Sequence, residues 1–148
     1  MKLFQYGDIG FGINGLVILE CLEYAKSVEI PDLIDNKPVL IIGQKAFFSC
    51  KELIQVILPK LLVRIDDFAF MGCEALPNIK IPDDVVFIGR RAFRFCTNLS
   101  NVILPSGLKE IGDEAFSFCS KLTTINISKQ TKLGRDVFPE NILIKYYD

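Results

Sequence analysis

The sequence predicts a solenoid of mixed α/β character, with short parallel strands along one face and short helical turns along the other, built from a 23-residue coil. Three observations predict it. Ala-Phe recurs at 46–47, 69–70, 92–93 and 115–116, always 23 residues apart. Cys50, Cys73, Cys96 and Cys119 keep the same interval, as do Ile42, Ile65, Ile88 and Ile111 and the set Leu53, Leu76, Leu99 and Leu122. Pro59, Pro82 and Pro105 continue the register, so independent columns agree on one period.

Within each coil two local periods alternate. Leu53, Val56 and Leu58 have the spacing of a short strand with its apolar side inward, and Leu76, Ile79, Ile81, then Leu99, Val102, Leu104, then Leu122, Ile125, Ile127 repeat it. The proline that follows has no N–H for a ladder and ends the strand. Ile-Gly-x-x-Ala-Phe-x-x-Cys then predicts a turn and a short helical segment, because Ala46, Phe47 and Cys50 fall on one face at three- and four-residue spacing. A strand of three to five residues cannot bury its own apolar side, whereas stacked coils about 4.8 Å apart make one continuous core.

The ends depart from the pattern, as caps do. Val28-Glu29-Ile30-Pro31 predicts an earlier strand, Val17-Ile18-Leu19 another, and Asp32–Pro38 carries the extra residues of a longer coil. Downstream, Gly134 and Val137-Phe138 echo Gly112 and Ala115-Phe116, and Asn141–Tyr147 supplies a closing strand. The whole chain, 1–148, is thus expected to be one domain, with irregular N-terminal coils and cap over 1–41, regular repeats over 42–127 and a C-terminal cap over 128–148.

Ile88-Gly89-Arg90-Arg91-Ala92-Phe93-Arg94-Phe95-Cys96-Thr97-Asn98-Leu99, continuing to Pro105, resembles the leucine-rich repeats of the BspA, or Treponema pallidum, type. The pattern recurs over Ile111–Ile127 with Ser128 where proline is expected, and departs at Asp66, where glycine is expected. Asp tolerates the left-handed backbone better than most residues, so a left-handed position there would accept it. The resemblance covers roughly 28 to 138 and implies a leucine-rich-repeat solenoid. It also implies kinship with surface adhesins whose many repeats bind host proteins.

Composition excludes several function classes. Lys plus Arg number 17 against 18 acidic residues, so no broad positive field favours nucleic acid or an anionic bilayer. Met1–Asp8 lack the basic start and apolar run of a signal peptide, which makes the cytoplasm the expected compartment, or the exterior if a leader has been removed. No apolar run approaches a membrane span. With no histidine, a His-based triad or His metal site is impossible, and neither metal nor cofactor is expected.

The remaining chemistry reads as structure. Four cysteines fall in one core column, which asks for a small buried hydrophobe, and Cys21 lies outside it as the least constrained thiol. Ser49, Ser117 and Ser120 have no base near them in sequence, and Asp66-Asp67 and Asp83-Asp84 sit at turns, where Asp bonds local backbone. Gly10-Phe11-Gly12-Ile13-Asn14-Gly15 lacks the strand and helix of a dinucleotide loop. Asn98-Leu99-Ser100 and Asn126-Ile127-Ser128 fit the glycosylation triplet, the second inside a strand. Arg90, Arg91 and Arg94 are expected on a solvated face, offset by Glu110, Asp113 and Glu114 of the next coil, and Phe48, Phe68, Phe95 and Phe118 are expected to tuck between coils.

These readings leave a non-enzymatic protein that binds another protein. Gln55, Ile57, Asn78, Lys80, Asn101, Ile103, Thr124 and Asn126 form the outward lattice of the strands, and Ile57 and Ile103 are apolar without need of the core. A recognition module acting through this face, such as a toxin-neutralising immunity protein or an adaptor, is the expectation. The alternative is a fragment or short member of a surface adhesin or structural array, in which avidity comes from repetition.

Overall fold

The structure, a computed structural model, describes residues 3–148. Among the described residues fourteen strands occur in chain order: β1 (Phe4–Gly10), β2 (Ile13–Cys21), β3 (Ser27–Glu29), β4 (Leu33–Ile34), β5 (Lys37–Ile42), β6 (Gln55–Ile57) and β7 (Arg64–Ile65). They continue as β8 (Asn78–Lys80), β9 (Phe87–Ile88), β10 (Asn101–Ile103), β11 (Glu110–Ile111), β12 (Thr124–Ser128), β13 (Lys132–Leu133) and β14 (Leu143–Tyr147).

Each coil has three sides. One is a sheet in the order β1-β2-β5-β7-β9-β11-β13, parallel except for the antiparallel β1–β2 hairpin that starts it. The second side carries the strands foreseen in sequence, joined in parallel pairs β3–β6, β8–β10 and β12–β14. No ladder joins β6 to β8 or β10 to β12. The extra residues after Pro31 form a small hairpin, β4 against β5, whose Asp35-Asn36 turn has φ of 50° and 62°. Asp and Asn are among the residues that accept such values most readily.

The third side overturns the mixed α/β expectation: no helix forms among the described residues, and the chain is a β-solenoid whose short helical turns are replaced by consecutive tight turns. The backbone explains why. Lys45 and Ser49 have φ of 59° and 57°, and the pairs Phe68 and Gly72, Arg91 and Phe95, Glu114 and Phe118 repeat this in successive coils. A left-handed residue at every fourth position breaks an α-helix. The N–H groups therefore alternate in direction. Those of Ala46, Phe48 and Cys50 close turns on Gly43, Lys45 and Phe47, while those of Lys45, Phe47 and Ser49 leave the coil for the carbonyls of Asp67, Ala69 and Met71. Bonds between coils take the place of bonds along a helix, and the buried polar backbone is satisfied just as fully.

The columns read from sequence fill the space between the sides. Phe47, Phe70, Phe93 and Phe116 are fully buried, and their rings stack at centroid separations of 4.7, 5.1 and 5.1 Å. Ala46, Ala69, Ala92 and Ala115 and the four column cysteines are buried beside them. The glycine after each core Ile is explained by closeness rather than by a left-handed backbone. At Gly112 an added Cβ would lie 2.6 Å from Arg90 N, and at Gly43 2.6 Å from Ile18 O, and neither residue has a positive φ. The left-handed rationale offered above for Asp66 is thereby withdrawn, since that residue is not among those with positive φ.

Candidate protein-recognition face

Alternation along β6, β8, β10 and β12 decides which side chains leave the core. Val56, Ile79, Val102 and Ile125 turn inward, so Gln55 and Ile57, Asn78 and Lys80, Asn101 and Ile103, and Thr124 and Asn126 are all exposed. Register sets them side by side: Asn78 opposite Asn101, and Lys80 opposite Ile103. The face is wider than those eight residues. Ser27 and Glu29 lie opposite Gln55 and Ile57, and Leu143 and Lys145 lie opposite Thr124 and Asn126. Both flanking strands were visible in sequence, and extending the alternation to them would have found these four.

Ile57 and Ile103 keep 47% and 50% of their surface exposed, an arrangement the core does not require. Between them the unladdered step from β6 to β8 opens a groove of about 400 Å³. Its floor is apolar, with Val56, Leu58, Ile79 and Pro82, and Gln55, Asn78, Lys60, Lys80 and Asp83 form its polar rim. Pro77, just before β8, has no N–H, whereas Ile54 and Ser100 at the equivalent positions donate to Lys26 and Pro77 of the preceding coil. One cross-coil bond is thus missing where the groove opens.

The turn side behaves differently from expectation. Phe48, Phe95 and Phe118 remain 41%, 38% and 55% exposed rather than tucked between coils. Phe95 and Phe118 stack on each other at 4.8 Å, with the Arg94 guanidinium 4.9 and 5.1 Å from their ring centres, and Arg90 covers Phe68. Left-handed φ at Phe68, Phe95 and Phe118 aims these rings outward, and cations shield them there. Glu114 accepts from Arg91 at 2.7 Å and pairs with Arg94 at 2.9 Å, which holds its carboxyl below the usual range. Asp113 is likewise lowered, by the Arg135 backbone N–H and guanidinium. Arg91 and Arg94 are therefore paired with an acid one coil on, while Arg90 lies over the Phe68 ring.

The paired acids weighed as catalysts in the sequence take structural or solvent-facing places. Asp67 accepts from Arg90 N at 2.8 Å and Asp66 pairs with Arg64, both local structural roles, while Asp83 and Asp84 are exposed. Among the described residues no group of three or more acids or cysteines could hold a metal ion. Cys21 is not the loose thiol that its place in sequence suggests: it is buried, its thiol donates to the Leu22 carbonyl oxygen at 3.7 Å, and its contact with the Cys50 thiol raises its own pKa and lowers that of Cys50. Among the described residues no helix is long and apolar enough to cross a membrane.

Comparison with known proteins agrees with this architecture. Residues 20–145 match the BspA type leucine rich repeat region, in six copies. The chain belongs to that family. A leucine-rich-repeat protein of Treponema pallidum superposes with a TM-score of 0.88 at 33% identity, over 94% of this chain and 65% of its own. A leucine-rich cell surface protein of Faecalibacterium prausnitzii gives 0.69 at 24% identity, over 99% and 53%, and the pneumococcal vaccine antigen PcpA gives 0.66 at 21%, over 99% and 47%. This BspA-type chain thus spans just under two thirds of the treponemal protein and about half of the other two. No curated protein matches it. Leucine-rich-repeat scaffolds of this kind are consistent with protein recognition or with a surface repeat protein.

Proposed function

We propose that the chain is a non-catalytic recognition module that binds another protein across the face of β3, β6, β8, β10, β12 and β14. The observation that carries this reading is the pair Ile57 and Ile103, exposed apolar anchors that flank Lys80 within a lattice of amides and hydroxyls. Apolar anchors with a polar surround are the anatomy of protein interfaces, and most of the binding energy collects on such residues. The extended, repetitive strand surface offers a folded partner the area that a stable complex buries, over about 1,000 Å². An immunity protein or an adaptor is the narrower form of the proposal.

The test is affinity capture with the intact chain, using the Ile57→Asp/Ile103→Asp double variant as control. One stoichiometric protein retained by the parent and lost by the variant supports the face, and a toxin among the captured proteins supports the narrower form. Equal capture by both would remove the strand face as the interface.

A further inference from the structure

The β1–β2 hairpin ends in a projection that the fold does not need. Gly10 pairs with Ile13, so Phe11 and Gly12 form a two-residue turn, with φ of 54° and 74°. Positive φ at both positions is the turn that hairpins prefer, and it favours Asn-Gly. Phe68, Phe95 and Phe118 share this left-handed backbone, but there Arg90 or Arg94 covers the ring, whereas no such cation is placed over Phe11 among the described residues. The ring is uncovered by the described residues: Phe11 is 102% exposed, Ile13 beside it is 51% exposed, and added Cβ atoms at Gly10 and Gly12 would meet nothing within 4 Å.

We propose that Phe11 of one copy inserts into the β6–β8 groove of a second copy, giving head-to-tail association. The proposal deepens the reading of the strand face by naming one occupant of its groove. Three observations select a second copy. The groove, about 400 Å³ with Val56, Leu58, Ile79 and Pro82 as its floor, is large enough for a phenyl ring and apolar where the ring would rest. Its rim carries Lys60 and Lys80 against Asp83, a net positive charge, and neither lysine has an ion-pair partner among the described residues. The hairpin and the small turn beside it carry Asp8 and Asp35 against Lys37, a net negative charge, with Lys37 already held by Asp8. Knob and groove lie on different surfaces of one chain, so the contact is heterologous and each added copy offers a fresh groove.

The experiment uses the purified chain alone, which separates it from any failure to find another partner. Sedimentation velocity from micromolar to millimolar concentration should show the parent rising above its 16.7 kDa monomer mass. Phe11→Asn installs the preferred turn residue, so it should fold at least as stably as the parent while losing association at least tenfold. Ile57→Asp/Lys80→Glu should lose it by blocking the groove. Mixing the two variants leaves one intact knob and one intact groove, and the mixture should form dimers and nothing larger. A parent that stays monomeric throughout, an unaltered mass distribution in Phe11→Asn, or a mixture with no dimer would each overturn the proposal. Binding of a monomeric parent to phosphatidylcholine vesicles, lost in Phe11→Asn, would overturn it in favour of a membrane-contacting tip.

Discussion

The thiol of Cys96 donates to the carbonyl oxygen of Phe70, 3.1 Å away in the preceding coil. Cys73 makes the same bond to Phe47 and Cys119 to Phe93. The cysteine column is therefore more than filler: it fits the width between coils and gives its weak donor to a carbonyl that the turn has already used once. Burial pushes the Cys96 thiol well up, and a hydrogen bond with Cys96 together with burial does the same to Cys119.

A pH dependence of definite sign follows. The unfolded chain ionises these thiols near their ordinary value of 9.0, whereas the folded chain keeps them protonated. The folded state then binds more protons than the unfolded one, and stability falls as pH rises above that value. Urea unfolding from neutral to alkaline pH should show this fall, and it should flatten in Cys96→Ala/Cys119→Ala. Each substitution should cost about 1 kcal/mol at neutral pH. An equally steep decline in the double variant would remove the thiols as its cause.

Phe93 is fully buried between the rings of Phe70 and Phe116. Phe93→Ala should cost about 3–5 kcal/mol, through lost burial and the cavity left behind. Phe70→Ala/Phe93→Ala should depart from the sum of the single effects, because the rings touch. Calorimetric melting of the three variants measures both quantities.

Gly89 meets the backbone of the coil before it, where an added Cβ would land on Asp67 N. The obstacle is main chain, which cannot swing aside. Gly89→Ala should destabilise by at least about 1–3 kcal/mol, the range for overpacking a tight core. Gly107→Ala, where the nearest foreign atom is 3.9 Å away, should be close to neutral and serves as the control.

On the acidic side, Arg91 and Arg94 hold the Glu114 carboxyl below its ordinary value of 4.5. A lowered carboxyl contributes stability that is complete above the unfolded value and is lost as pH falls through the folded one. The parent should therefore lose stability below pH 4.5 more steeply than Glu114→Gln does. Identical acid profiles would show that the three-membered ion pair contributes nothing.

Column agreement made the repeat, its period, its core and the outward lattice legible, because a solenoid reads out periodicity directly. The turn side was not legible. Ala46, Phe47 and Cys50 have a spacing that a helix and a run of tight turns both satisfy, and the deciding left-handed residues, Lys45 and Ser49, carry no sequence mark. Only Gly72 hints at one. The sheet of two-residue strands, such as Arg64–Ile65, was missed because two residues cannot show a period. The N-terminal hairpin was missed because Phe11 stands where its turn favours asparagine.

The alternating direction of the bonds between coils sets the electrical character of the solenoid. On the turn side Phe47, Phe70 and Phe93 give their N–H groups to the following coil. On the sheet side Gly89, Gly112 and Gly134 give theirs to the preceding one. Peptide dipoles along the two sides therefore oppose one another, where those of an α-helix add into partial charges at its ends. Each added coil brings peptide dipoles of both directions, so they offset one another along the axis instead of adding as they do in a helix.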